Sequence, residues 1–118
     1  MSARALAVAA LLATAGCHRP PADSLWLVVI NKTGANLTNF SLDYGEGKLS
    51  YEIFTNGYTF AEWAAVHGEQ TMHVRYTDGS GLFVNLDLER KLVPDLVGGS
   101  VYVTFHPSGR IALSARWP

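Results

Sequence analysis

Met72-His73-Val74-Arg75-Tyr76-Thr77-Asp78-Gly79-Ser80-Gly81-Leu82-Phe83-Val84-Asn85-Leu86-Asp87-Leu88 is the stretch that decides the fold class. Met72, Val74 and Tyr76 alternate with His73, Arg75 and Thr77; Leu82, Val84, Leu86 and Leu88 then share one face, opposite Asn85 and Asp87. A period of two sends successive side chains to opposite faces of a strand, so each run reads as a half-buried strand with one face on a core and the other in water. Asp78-Gly79-Ser80-Gly81 between them is turn chemistry. Two alternating runs joined this way form an antiparallel hairpin.

The same period extends outward in both directions. Phe40, Leu42 and Tyr44 alternate with Ser41 and Asp43. Val101, Val103 and Phe105 share one face, and Ile111, Leu113, Ala115 and Trp117 alternate with Arg110, Ala112, Ser114 and Arg116. Leu25-Trp26-Leu27-Val28-Val29-Ile30 is apolar on both faces, which suits a central or covered strand. Turn signals separate the runs at Lys32-Thr33-Gly34, Gly45-Glu46-Gly47, Asn56-Gly57, Gly98-Gly99 and Pro107-Ser108-Gly109. The expectation is a mainly β domain over residues 25–118, a small antiparallel β-sandwich of about seven strands.

Residues 59–67 admit two readings. Thr59-Phe60-Ala61-Glu62 has the spacing of a helix capping box, Phe60, Trp63, Ala64 and His67 fall on one helical face, and Gly68 would end the helix. The same residues also read as an extended strand.

The N-terminus has a different composition. Arg4 is followed by the apolar run Ala5-Leu6-Ala7-Val8-Ala9-Ala10-Leu11-Leu12-Ala13 and then Thr14-Ala15-Gly16-Cys17. A cationic start, an apolar run and small residues make a secretory signal over 1–16. The run is shorter than the roughly 20 residues that span a hydrocarbon core. Cys17 is the only cysteine in the chain. Ala15-Gly16-Cys17 resembles the lipobox of the bacterial lipoprotein class, with Thr14 standing where that motif usually has Leu. The resemblance implies a diacylglyceryl group on the Cys17 thiol and cleavage before it, and it covers only these seventeen residues. An acylated cysteine also removes the oddity of a lone thiol in an oxidising compartment. In that class an Asp after the cysteine retains the protein at the inner membrane. His18 and Arg19 stand here instead, which implies the periplasmic face of the outer membrane.

Residues 17–24 read as the lipidated cysteine and a short tether bearing Pro20 and Pro21. Without Arg4, eight of the nine Lys and Arg remain against ten Asp and Glu, a formal mature charge of −2. No basic run supplies an electrostatic footprint for nucleic acid.

The search for chemistry returns little. There is no Gly-x-Ser-x-Gly elbow, and Ser80 lies in a glycine-rich turn. The four histidines, His18, His67, His73 and His106, show no His-x-x-x-His spacing, so no metal site and no cofactor is expected. The ten carboxylates are spread along the chain, without a pair in evident reach of one another. The densest feature is aromatic: 51–63 holds Tyr51, Phe54, Tyr58, Phe60 and Trp63. Most of these fill a core in the plainer reading; alternatively Tyr51, Tyr58 and Trp63 form a contact surface. Asn31-Lys32-Thr33, Asn36-Leu37-Thr38 and Asn39-Phe40-Ser41 have the glycosylation spacing but read as turn and strand residues in a bacterial protein.

The expectation is therefore a non-catalytic, lipid-anchored binding or structural module that touches another envelope component. A glycan-binding or small-ligand module and an immunity or inhibitor-type lipoprotein are the rivals. Exposed coplanar rings among Tyr51, Tyr58 and Trp63 would favour the glycan reading.

Overall fold

The hairpin that opens the argument is present as β5 (Gln70–Thr77) and β6 (Phe83–Leu92), paired antiparallel around the Asp78–Gly81 turn. The computed structural model describes residues 21–118, and Cys17 with the leader lies outside them. The remaining strands are β1 (Ser24–Asn31), β2 (Leu37–Asp43), β3 (Lys48–Phe54), β4 (Thr59–Ala65), β7 (Ser100–Phe105) and β8 (Ile111–Arg116). They form two four-stranded sheets packed as a sandwich, one in the order β4-β1-β7-β8 and the other β3-β2-β5-β6. There are thus eight strands where about seven are expected from the sequence pattern.

β1 is central, as its two-sided apolar run requires. It pairs antiparallel with β4 and parallel with β7, the one parallel pairing in an otherwise antiparallel fold. Leu25, Leu27 and Val29 point into the core with no exposure. Between the sheets, Phe40 of β2 meets Phe54 of β3 at 4.9 Å, Phe105 of β7 at 5.5 Å and Tyr76 of β5 at 6.1 Å between ring centroids. Edge-on and offset ring contacts of this kind add to the apolar area they bury.

Residues 59–67 are not a helix. Thr59–Ala65 is β4, in register with β1 from Ser24↔Ala65 to Ile30↔Thr59. The physical reason is tertiary: β1 offers seven residues of pairing, whereas the isolated helix would bury one stripe. Phe60 and Ala64 point inward, Ala61 and Trp63 outward. Glu62, the would-be capping residue, instead accepts a 2.6 Å hydrogen bond from the Tyr44 hydroxyl.

Asn56-Gly57 forms a turn with Gly57 at φ 84°, but the turn does not join neighbours in one sheet. Gly57 N–H donates to the Asn31 carbonyl and Asn31 N–H to the Tyr58 carbonyl, which ties the turn to β1 and delivers β4 to the opposite sheet. Asn39, at φ 50°, sits where the β2–β5 register shifts, so Leu37 and Phe40, three residues apart, are both buried. The domain also begins slightly earlier than composition indicates. Ser24 is the first residue of β1, and the Asp23 carbonyl accepts from Val66 N–H at 2.9 Å.

Candidate functional site

The two outer faces of the sandwich differ in chemistry. Across the β3-β2-β5-β6 sheet, register aligns Lys48, Asp43, His73 and Asp87 in one row and Ser50, Ser41, Arg75 and Asn85 in the next. That is an ordinary solvated face. Across the β4-β1-β7-β8 sheet the corresponding rows are Trp63, Trp26, Ser100 and Arg116, then Ala61, Val28, Tyr102 and Ser114, then Thr59, Ile30, Thr104 and Ala112. Arg116 is the only charged residue in those rows. A sheet face without charges is what a partner or a membrane covers.

The three aromatic candidates do not share one platform. Tyr51 stacks on Phe60 at 3.9 Å and 12° between the sheets, and burial with the nearby Glu62 charge pushes its phenol upward from the ordinary value. Tyr58 is exposed in the β3–β4 turn. Trp63 is 39% exposed on the uncharged outer face, where its ring lies 4.6 Å from Trp26 and tilted by 54°. Trp26 is absent from the aromatic stretch read in the sequence. The signal that could have found it was the two-sided apolar pattern of β1 itself.

A second surface runs where the sandwich is open between the edge strands β6 and β8. A groove of about 320 Å³ there is lined by Leu86, Leu88, Ile111 and Leu113 together with Asp87 and Glu89. Leu82 and Phe83, each 62% exposed, stand at the entry to β6, and Leu86 is exposed farther along. Period-two reading places Leu82, Val84, Leu86 and Leu88 on one inward face, but only Leu88 of these is buried. The cause is position: β6 pairs with β5 on one side only, and its register shifts between Thr71 and His73. Its outer backbone edge has no strand partner among the described residues.

His67 and His73 are engaged in local pairs. His67 bridges Asp23 through Nε2 and Glu46 through Nδ1, the latter at 2.6 Å, while its backbone N–H donates to Glu46 at 3.0 Å. Hydrogen bonds to the Asp23 carboxylate and then to that of Glu46 hold the imidazole above its ordinary pKa. His73 sits between Asp87 and Asn85, and the Asp87 bond raises it in the same way. His106 is pushed down by desolvation and by the neighbouring Arg110 and Lys32 charges. No cluster able to hold a metal ion occurs among the described residues.

A cleft of about 590 Å³ opens at the end of the sandwich beside Leu37, Tyr76, Asp78, Ser80 and His106. Its Ser80 hydroxyl donates to Asp78 at 2.7 Å, and Asp78 also accepts from the Ser80 and Leu82 N–H groups. These bonds form the β5–β6 turn, and they lower the Asp78 pKa, the Ser80 hydroxyl most, against the opposing effect of desolvation. The Ser80 hydroxyl and its Asp78 acceptor are both engaged in forming the turn.

No family model matches this chain, and no curated protein matches it. A solved structure described as an NMR structure of the protein from Eubacterium rectale is similar at 16% identity and a TM-score of 0.48, covering 81% of this chain and 91% of that one. No described helix is long and apolar enough to cross a membrane.

Proposed function

We propose that the chain is a non-catalytic β-sandwich module of the bacterial envelope, anchored through an acylated Cys17 at the periplasmic face of the outer membrane, that captures an extended segment of another envelope protein along β6. The observation that carries the contact is the edge of this ten-residue strand, unpaired among the described residues, flanked by exposed Leu82, Phe83 and Leu86 and by the mixed leucine- and carboxylate-lined groove shared with β8. An added strand satisfies the free N–H and C=O groups of an edge, and alternate side chains enter the neighbouring groove. The anchor is supported by Ala15-Gly16-Cys17 after an apolar run and by the lack of any other cysteine. A glycan platform has less support, because Tyr51 packs inside while Trp63 faces outward.

The test is photo-crosslinking from position 83 in native membranes, with identification of what is captured. The reading expects one dominant protein adduct that disappears with Leu86→Lys. Recovery of lipid adducts alone, or an adduct indifferent to Leu86→Lys, would sink it.

A further inference from the structure

All three tryptophans of the chain gather at one end of the β4-β1-β7-β8 sheet, Trp63 and Trp26 on its nearly uncharged outer face and Trp117 just past the end of β8. Trp63 and Trp26 are register partners, Arg116 closes the same row beyond Ser100, and Trp117, 61% exposed, follows it directly. We infer that this tryptophan row seats in the headgroup region of the bilayer that carries the anchor. The inference rests on the reading of Cys17 as acylated.

Position selects the occupant. The row lies two residues into β1, next to the point where the chain enters the fold. That point is pinned: Val66 N–H holds the Asp23 carbonyl at 2.9 Å, and His67 holds the Asp23 carboxylate. From Cys17 to Asp23 is a span of six residues, which extends at most ~22 Å. The eight residues of β1 are themselves about 26 Å long. The tether is therefore shorter than one strand, and the end of the sandwich bearing Asp23, Trp26 and Trp63 is the end held at the membrane. Indole rings are amphipathic and favour the headgroup level, where the ring body is shielded and the N–H finds a partner. Asp23 and Glu46 at the same end give anionic lipid no advantage, and Arg116 is the single cation of the row. Seating therefore works on zwitterionic headgroups and changes little with salt.

The experiment uses the full acylated protein reconstituted into phosphatidylcholine vesicles, with Trp26→Phe and Trp117→Phe leaving Trp63 as the sole indole. Mass spectrometry of the same preparation reports acylation of Cys17. The expected result is emission at shorter wavelength than in the unacylated Cys17→Ser protein, with stronger quenching by a headgroup spin label than by bromines deep in the acyl chains. A control carrying Ser50→Trp as its sole indole, on the charged outer face, stays unquenched. Acylated protein whose Trp63 emits as in water and escapes the headgroup quencher overturns the seating alone. Equal quenching at positions 50 and 63 overturns it as well. Shielding of Trp63 in native membranes but not in pure lipid overturns it in favour of a protein partner. Absence of acylation overturns the anchor reading and the seating with it.

Discussion

Asn31 is the residue on which the fold's corner depends. It is fully buried at the end of β1, and every polar atom of its side chain is used. Its Nδ2 donates to the Ala35 and Phe54 carbonyls, each at 2.9 Å, and its Oδ1 accepts from the Thr33 N–H and hydroxyl at 3.0 and 2.8 Å. Asn31→Ala strands buried backbone groups that no water replaces, so it is expected to lower unfolding free energy by about 2–4 kcal/mol in denaturant melts. Asn31→Asp keeps the shape but loses both donors, and should be no milder; a loss under ~0.5 kcal/mol for both variants would remove Asn31 from this role. The asparagine was visible in the sequence only as part of a glycosylation triplet, because triplet spacing says nothing about which carbonyls converge on it. His67 gives a second residue-scale expectation. Its pKa is raised above the ordinary 6.5 by the hydrogen bonds it donates to Asp23 and Glu46. Asp23 is lowered from 3.8 by its bond to His67; at Glu46 desolvation opposes, but the two His67 bonds prevail and lower it from 4.5. The histidine's contribution is complete below pH 6.5 and fades as pH rises through the higher folded value. The carboxylates contribute above their ordinary values and lose that contribution as pH falls through the lowered ones. The latch on the tether is thus closed in mildly acidic to neutral solution and loosens on either side. An NMR titration should place the His67 midpoint above 6.5 and bring it down in Asp23→Asn; a wild-type midpoint at or below 6.5 would refute the bridge.

At the scale of elements, β6 shows where a sequence pattern stops short. Alternation is a statement about faces, and it placed Leu86 and Leu88 on one face correctly in direction. It carries no information on whether a strand lies inside a sheet or at its edge, since that depends on what packs opposite. Leu88 is buried in the core, whereas Leu86 is substantially exposed over the open groove. Leu88→Ala should therefore lower stability by about 2–4 kcal/mol and Leu86→Ala by less than ~1 kcal/mol, measured by the same denaturant melts. Equal losses would mean that the groove is closed. β4 is the reverse case, in which local signals mislead. The spacing of Thr59 and Glu62 fits a capping box, but the register with β1 and the Tyr44–Glu62 bond both need the segment extended. Local propensity yields there because pairing along the central strand β1 satisfies and buries more than one free helix face would. The turn signals read well, with Gly45, Gly57, Gly81 and Gly98 all at positive φ, but which strands a turn joins was not legible. Asn56-Gly57 carries the chain between sheets because β1 binds both of its flanks.

For the whole molecule, the meaningful property is asymmetry: one outer face charged, one nearly uncharged, and one open side between β6 and β8. A two-faced domain needs an orientation for those differences to matter, and in the proposed reading a short tether supplies one. The expectation of that tether was legible in the sequence, since Cys17, Pro20 and Pro21 are local signals. The sidedness was not, because it arises from four strands brought into register from distant parts of the chain. The anchor is testable through processing as well as location. Acylation of the Cys17 thiol precedes cleavage in the class the leader resembles, so Cys17→Ser blocks both steps together. The variant is expected to take up no labelled fatty acid and to accumulate at precursor size, while the domain itself retains its melting behaviour because its core is built from residues 25–105. Wild-type protein should run at mature size, carry the label and fractionate with outer membranes. A Cys17→Ser protein that still matures and partitions with those membranes would show that something other than a thiol-linked lipid holds the domain, and the proposed orientation of its faces would lose its cause.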